Sequence, residues 1–468
     1  MVDDPRGADE EIQDKDPVVN KPSPSRAVQG FGCKRGCGLF VVAFSLLTSQ
    51  PVLAQLTLHE CRLSGAPVRC GTLRVPENRQ ASNGRQLALS IIIAPRQGVG
   101  DAKEPLFVLK GGPGEQATSN AGDALEMFRA LRHDRDLVLL DQRGTGGENR
   151  LDCEVSDRAF VVPRDPEGCL RELTAKADLR QYTTDHFVED LDAARAALGY
   201  EQISLWAGSY GTRAAYVYAK RNPQRVRSLV LIAPAPISMP VVDNFEEDSR
   251  AALDALMTDC LSDDDCGPAF PTLRTDTRKV LDGLTDPFER FGLLALQYSS
   301  TTLRLIPLLM RRAAAGDREP LTLAIRDVHR LLTPRLALGL HLAVLCSEDL
   351  PFRSQGAKPS TFARLEYERA CRGWPRATLA EDFRVHVRVD APALLITGEW
   401  DPATSPRWAH VARDQFSRNQ VVIVPKEGHI LARLDDCVAA MTREFLDTAH
   451  ANPSCAMQAR RPSYAVRP

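Results

Sequence analysis

No stretch of this 468-residue chain is apolar for long enough to cross a membrane. Its strongest apolar run, 39–47 (LFVVAFSLL), is nine residues, where a bilayer crossing needs about 20. Charge of one sign is lacking too. Lys+Arg total 59 and Asp+Glu 61, so no global field draws in nucleic acid or an anionic surface. Basic runs long enough for a local patch are also missing. The cysteines come without CxxC or His-x-x-His spacing, which removes the common zinc frameworks. His133, His186, His329 and His410 are scattered without ligand spacing. No P-loop follows a strand-like run, and Gly144-Thr145-Gly146 lacks the G-x-G-x-x-G spacing of a dinucleotide site. Neither a metal nor an organic cofactor is therefore expected, and nucleic acid is not expected as a partner. Internal repeats and low-complexity tracts are absent.

What remains is an ordinary globular balance, 43% apolar and 26% charged. The length predicts a large core with an inserted second domain. Residues 1–30 are polar and rich in Asp, Glu and Pro, a composition that reads as disordered. Lys34-Arg35, the apolar run and Val52-Leu53-Ala54 then read as a secretory signal peptide with a long leading extension. An overlong start is the alternative account of residues 1–30. No stable membrane insertion is expected once the signal is removed.

Twelve cysteines are present, two of them, Cys33 and Cys37, ahead of the apolar run. The other ten fall in local couples: Cys61/Cys70, Cys153/Cys169, Cys260/Cys266, Cys346/Cys371 and Cys437/Cys455. An even number in an exported chain predicts disulfides, here paired by proximity.

Seven short β-type runs stand out: 87–94, 106–109, 136–140, 203–206, 228–233, 393–397 and 420–424. Most are continuously apolar, which means burial on both faces, as in a parallel sheet covered by helices. Helical patterns lie between them, such as 187–198 with Phe187, Leu191, Ala194 and Leu198 on one face. Between Pro236 and about Arg384 the β runs vanish and helical stretches at 249–257, 290–297 and 321–332 replace them. The expected organisation is a leader and signal at 1–54 and a core in two parts, 55–235 and 385–455. A helical cap at 236–384 and a loose tail at 456–468 complete it.

The run 203–206 meets a serine among small residues, Ala207-Gly208-Ser209-Tyr210-Gly211, and a helix pattern follows at 212–220. Such a sharp strand-to-helix turn strains the serine backbone and lifts its hydroxyl above the sheet. An elbow serine needs a base, and the base needs an orienting carboxylate, in the chain order serine, acid, histidine. Asp401 follows the run 393–397 and His429 follows the run 420–424. Three polar residues at the same ends of separate parallel strands can converge. The run 106–109 ends in Lys110-Gly-Gly-Pro-Gly-Glu115, where glycine lets N–H groups approach a ligand closely. Pro113 cannot donate, so Gly111, Gly112 or Gly114 must, with the N–H of Tyr210 as second donor.

At this point the chain resembles the α/β-hydrolase branch of proline iminopeptidases and secreted bacterial tripeptidyl aminopeptidases. The matching pieces are GGPG (111–114), DQRGTGG (141–147), AGSYGT (207–212), GEWDPATSP (398–406) and GHI (428–430), in the order of that family. Its G-x-S-x-G elbow reads A-x-S-x-G here. The resemblance implies an α/β-hydrolase fold, with a mostly parallel sheet and an inserted helical cap. It also implies an exported bacterial serine aminopeptidase, periplasmic or extracellular, acting on free peptide N-termini. By position, Ser209 is then the nucleophile, His429 the base and acid, Asp401 its orienter, and Gly112 and Tyr210 the oxyanion donors. A protonated N-terminus calls for nearby carboxylates, for which Glu115, Glu348 and Asp349 are the candidates. Two other readings use the same residues: an exported esterase or other acyl hydrolase, and a non-catalytic binding protein on this fold.

Overall fold

The computed structural model describes residues 54–467 apart from positions 82, 100, 353–360, 432–433 and 460–462. The expected leader and signal peptide lie outside the described residues.

The expected runs become strands of one nine-stranded sheet. In chain order these are β1 (Gln55–Leu63), β2 (Ala66–Pro76), β3 (Gln86–Ala94) and β4 (Leu106–Leu109). There follow β5 (Leu137–Leu140), β6 (Ile203–Gly208), β7 (Val226–Ile232), β8 (Ala393–Gly398) and β9 (Asn419–Val424). Their order in space is β1-β2-β3-β5-β4-β6-β7-β8-β9. From β5 to β9 every neighbouring pair is parallel. All residues of β4, β5 and β8 are buried, which is why these segments read as unbroken apolar runs. Each buried Val, Leu, Ile or Phe contributes about 1.5–3 kcal/mol, so these strands anchor the core.

The first two strands were not expected from the sequence. They pair antiparallel, Leu63 opposite Ala66 across Ser64-Gly65, whose φ values are 49° and 81°. Two positive φ values in a two-residue loop make the hairpin turn that suits strand twist. Residues of β1 alternate between exposed and half-buried, so no continuous apolar run marks it. The Cys61–Cys70 disulfide links the two strands, and the four other local couples also form disulfides.

Among the described residues, the segment between β7 and β8 carries helices and no sheet strand. They include Val241–Ser262, Pro287–Ala295, Glu319–Leu332, Leu338–Val344 and Phe362–Ala370. The tail is less loose than its composition suggests. It holds a short helix at Ser454–Met457, and the Tyr464 hydroxyl donates to Asp259 at 2.8 Å while the Ala465 N–H reaches the Arg304 carbonyl. Among the described residues no helix is long and apolar enough to span a membrane.

Candidate active site

Strand β6 ends at Gly208, and the helix Tyr210–Arg221 begins two residues later. Ser209 sits between them at φ 52° and ψ −125°, a conformation that L-residues rarely adopt. Such strain persists only where the surroundings impose it. Its N–H is tied to the Ile232 carbonyl at 2.8 Å, at the end of β7. A Cβ on Gly211 would stand 2.7 Å from both the Leu109 and Lys110 carbonyl oxygens. The helix therefore approaches β4 as closely as glycine allows. Ala207, where the resembled family has glycine, is fully buried between β4 and β7.

Asp401 lies three residues beyond β8 and His429 five beyond β9, at the carboxyl edge that also carries Ser209. His429 Nε2 is 3.1 Å from Ser209 Oγ. His429 Nδ1 is 2.8 and 3.0 Å from the two oxygens of Asp401. The Asp401 carboxylate also accepts from the Ala403 and Thr404 N–H groups and the Thr404 hydroxyl, at 2.8, 2.8 and 2.9 Å. Burial pushes the Asp401 carboxyl up, but His429 and these donors outweigh it and hold it below the usual value. Burial likewise disfavours the His429 imidazolium, yet the Asp401 charge prevails and raises its pKa. With Nδ1–H donated to Asp401, Nε2 is left as the acceptor for the Ser209 hydroxyl proton. An imidazole so held can take that proton and turn the hydroxyl into a nucleophile.

The glycine loop lies alongside. A Cβ on Gly111 would be 3.0 Å from Ser209 Cβ. Gly112 is exposed with φ 105°. Neither the Gly112 nor the Tyr210 N–H donates a hydrogen bond among the described residues. Tyr210 is the first residue of its helix, where N–H groups have no intrahelical acceptor and stabilise negative charge. His341 pins this loop, its Nδ1 2.9 Å from the Pro113 carbonyl oxygen and its Nε2 2.9 Å from the Tyr367 hydroxyl. Burial pushes the His341 pKa down to about 4, so it stays neutral.

DQRGTGG is scaffold rather than reaction centre. Arg143 is fully buried and holds Asp190 with two bonds of 2.7 Å, while its remaining nitrogen donates to the Glu77 and Gln181 carbonyls. Asp141 accepts from Thr118 and Gln116, and Gln142 donates to the Tyr210 hydroxyl at 3.3 Å.

Of the three further carboxylates, two line the cavity above Ser209 and one does not. The cavity measures about 420 Å³, and Glu115, Asp349, Phe160, Phe245, Phe291 and Tyr298 are among its walls. Asp349 is buried. One of its oxygens accepts from Arg213 at 2.7 Å, and the other, Oδ1, has no hydrogen-bond partner among the described residues. Glu348 departs from expectation. Its carboxylate is occupied by the Thr184 N–H and hydroxyl, at 2.6 and 2.8 Å, so it is not free for a ligand. Burial pushes its pKa up to about 7.

Several participants were not read from the sequence. Tyr298, from the helical segment, sets its ring edge-on to His429 at 4.9 Å and accepts the Ile430 N–H at 2.7 Å. Nothing near Tyr298 in the chain marks it. Thr404 had a visible cue, since it stands three residues after Asp401 in an aspartate turn. Arg213, four residues after Ser209, is a charged residue inside an otherwise apolar helix face.

A family model described as the alpha/beta hydrolase fold matches residues 104–432. A serine protease Hip1 of Mycobacterium tuberculosis is 30% identical over 247 residues, 46% of this chain and 46% of that protein. A proline iminopeptidase of Heyndrickxia coagulans is 30% identical over 155 residues, 33% of this chain and 42% of its own. A tripeptidyl aminopeptidase of Streptomyces coelicolor is 27% identical over 194 residues, 35% of each chain. In these alignments the chain spans about half or less of each curated relative's length. The family match runs from just before β4 to just past His429, and so takes in the glycine loop, the elbow and both strand ends that carry Asp401 and His429. The chain belongs to the family with the alpha/beta hydrolase fold.

Proposed function

We propose that this chain is an exported serine hydrolase, and within that class an aminopeptidase releasing residues or short peptides from free N-termini. The observation that carries the hydrolase reading is the 3.1 Å approach of His429 Nε2 to the strained Ser209 hydroxyl. In this mechanism His429 takes the Ser209 proton as the oxygen attacks the substrate carbonyl. The Gly112 and Tyr210 N–H groups hold the oxyanion, each worth about 3 kcal/mol by comparison with other hydrolases. The leaving amine takes its proton from His429, and water then releases the acyl group. Asp401 keeps the imidazole in the required tautomer.

The aminopeptidase reading draws support from the names of the relatives and from Asp349. Asp349 lines the cavity that holds Ser209, and its buried Oδ1, without a hydrogen-bond partner among the described residues, suits a protonated amine. Glu115 is the second acidic group at that cavity. Residues 236–384 would act as the cap over a core formed by 55–235 and 385–455. The five disulfides among the described residues support a compartment outside the bacterial cytoplasm, periplasmic or extracellular.

One observation fits esters equally well. The aromatic wall of Phe160, Phe245 and Phe291 suits an apolar acyl group as readily as a peptide side chain. Aminoacyl-naphthylamides compared with p-nitrophenyl esters separate the two readings. The Ser209→Ala variant is expected to fold and lose turnover and fluorophosphonate labelling. Retained turnover there removes the serine mechanism, and unlabelled, folded wild-type protein would instead make this a binding protein.

A further inference from the structure

The segment Leu345–Asp349 is a single π-helical turn following the helix Leu338–Val344. Such turns insert one residue into a helix and are frequent at functional sites. Here the turn carries two consecutive buried carboxylates, and both approach Arg213 Nη1: Asp349 at 2.7 Å and Glu348 at 3.9 Å. Asp349 faces the cavity. Glu348 turns instead to the start of the helix Thr184–Ala197, where its charge meets the positive end of the helix and accepts the free Thr184 N–H.

From Glu348 a chain of hydrogen bonds runs to the elbow. The Thr184 hydroxyl donates to Glu348 Oε2 at 2.8 Å. Its oxygen is 2.7 Å from the Tyr210 hydroxyl. With Glu348 ionised the Thr184 proton is committed to the carboxylate, and Tyr210 is then the donor in that contact. The Gln142 amide N–H completes the set by donating to the Tyr210 oxygen at 3.3 Å. Every donor in the series thus points one way, toward Glu348, and the whole series is buried. A fully satisfied buried network rigidifies what it holds. What it holds is the residue immediately after Ser209, whose own N–H is free.

We propose that Thr184 and Glu348 are positioning residues that fix Tyr210, through its hydroxyl, so that its main-chain N–H stays aimed at the oxyanion formed on attack by Ser209. The inference rests on the serine-hydrolase reading but not on the choice between peptide and ester, because both substrates pass through an oxyanion.

Thr184→Val removes the hydroxyl and keeps the volume, Thr184→Ser restores the hydroxyl, and Tyr210→Phe cuts the link from the other side. In Thr184→Val and Tyr210→Phe, kcat on p-nitrophenyl acetate is expected to fall roughly tenfold with KM nearly unchanged, a fraction of what losing a whole oxyanion donor costs. Thr184→Ser should recover most of the rate. Affinity for a boronic acid, which mimics the tetrahedral intermediate, should fall in step with kcat, while affinity for the product acid holds. Unchanged kcat in folded Thr184→Val overturns the proposal, and so does a Thr184→Ser variant as slow as Thr184→Val. Should Thr184→Val fail to fold, Tyr210→Phe decides: wild-type turnover there overturns the proposal equally. Ser209→Ala run alongside separates the two failures. If it retains turnover the hydrolase reading falls, and if it is inactive while Thr184→Val matches wild type only the positioning role falls.

Discussion

The Ile430 N–H donates to the Tyr298 carbonyl at 2.7 Å, so the residue after His429 is hydrogen-bonded to a segment more than 100 residues earlier in the chain. Ser299 and Ile430 also form a short parallel bridge. The loop that carries the imidazole is thus gripped from the helical side as well as from β9, and the 3.1 Å contact with Ser209 depends on both.

Gly428 is where that grip is tightest. A Cβ there would lie 2.3 Å from the Gln297 carbonyl oxygen and 2.7 Å from that of Tyr298. Both are main-chain atoms that cannot swing aside. Gly428→Ala is expected to shift His429 and lower kcat about a hundredfold, as misplacement by about 1 Å does elsewhere. Steady-state kinetics at saturating substrate check this.

The pH profile should carry the mark of Asp401. His429 must be neutral at Nε2 to act as base, and its pKa is raised by the Asp401 charge. The acid limb of kcat/KM, which reports the free enzyme, is therefore expected above the ordinary histidine value of about 6.5. Activity rises with pH through that point. Asp401→Asn should move the limb down and cut kcat by about 10⁴. The same raised pKa means the charged pair contributes stability in full below about pH 6.5 and loses it as pH rises through the folded value. Urea midpoints across that window measure it.

Gly211 is expected to be intolerant for a packing reason. Alanine there would press on the Leu109 and Lys110 carbonyls at 2.7 Å and force the elbow helix away from β4. A loss of about 1–3 kcal/mol is expected, with turnover falling further because Gly111 and Gly112 follow directly. Thermal denaturation and activity on the same sample test the pair of effects.

Asp349→Asn tests amine recognition. The substitution keeps volume and an acceptor for Arg213 but removes the charge. KM for aminoacyl-naphthylamides is expected to rise roughly ten- to hundredfold, the range of one hydrogen bond to a charged group. KM for p-nitrophenyl acetate should stay constant. A matching rise for both substrates would make Asp349 a structural partner of Arg213.

Much of this site could be read along the chain. Strands β4, β5 and β8 announced themselves because burial on both faces demands unbroken apolar runs, and β6, β7 and β9 carry short apolar runs of their own. Ser209, Asp401 and His429 each follow such a run, so a parallel sheet brings them to one edge. The hairpin β1–β2 was missed because its residues alternate in exposure and it lies at the sheet margin. Glu348 and Asp349 are adjacent and chemically alike, and nothing in their order says which one faces the cavity.

The amino-acid order alone determined strands β3 to β9, the small residues of the elbow, the cysteine couples and the succession of serine, aspartate and histidine, because each follows from local periodicity or from spacing. Only the folded chain decided that Tyr298 would brace the histidine loop, that Arg213 would bind Asp349 across 136 positions, and that Glu348 would turn to Thr184 across 164. Those pairings depend on how helices distant in sequence settle against one another, and side-chain direction within a π-turn is set by that packing rather than by its neighbours in the chain.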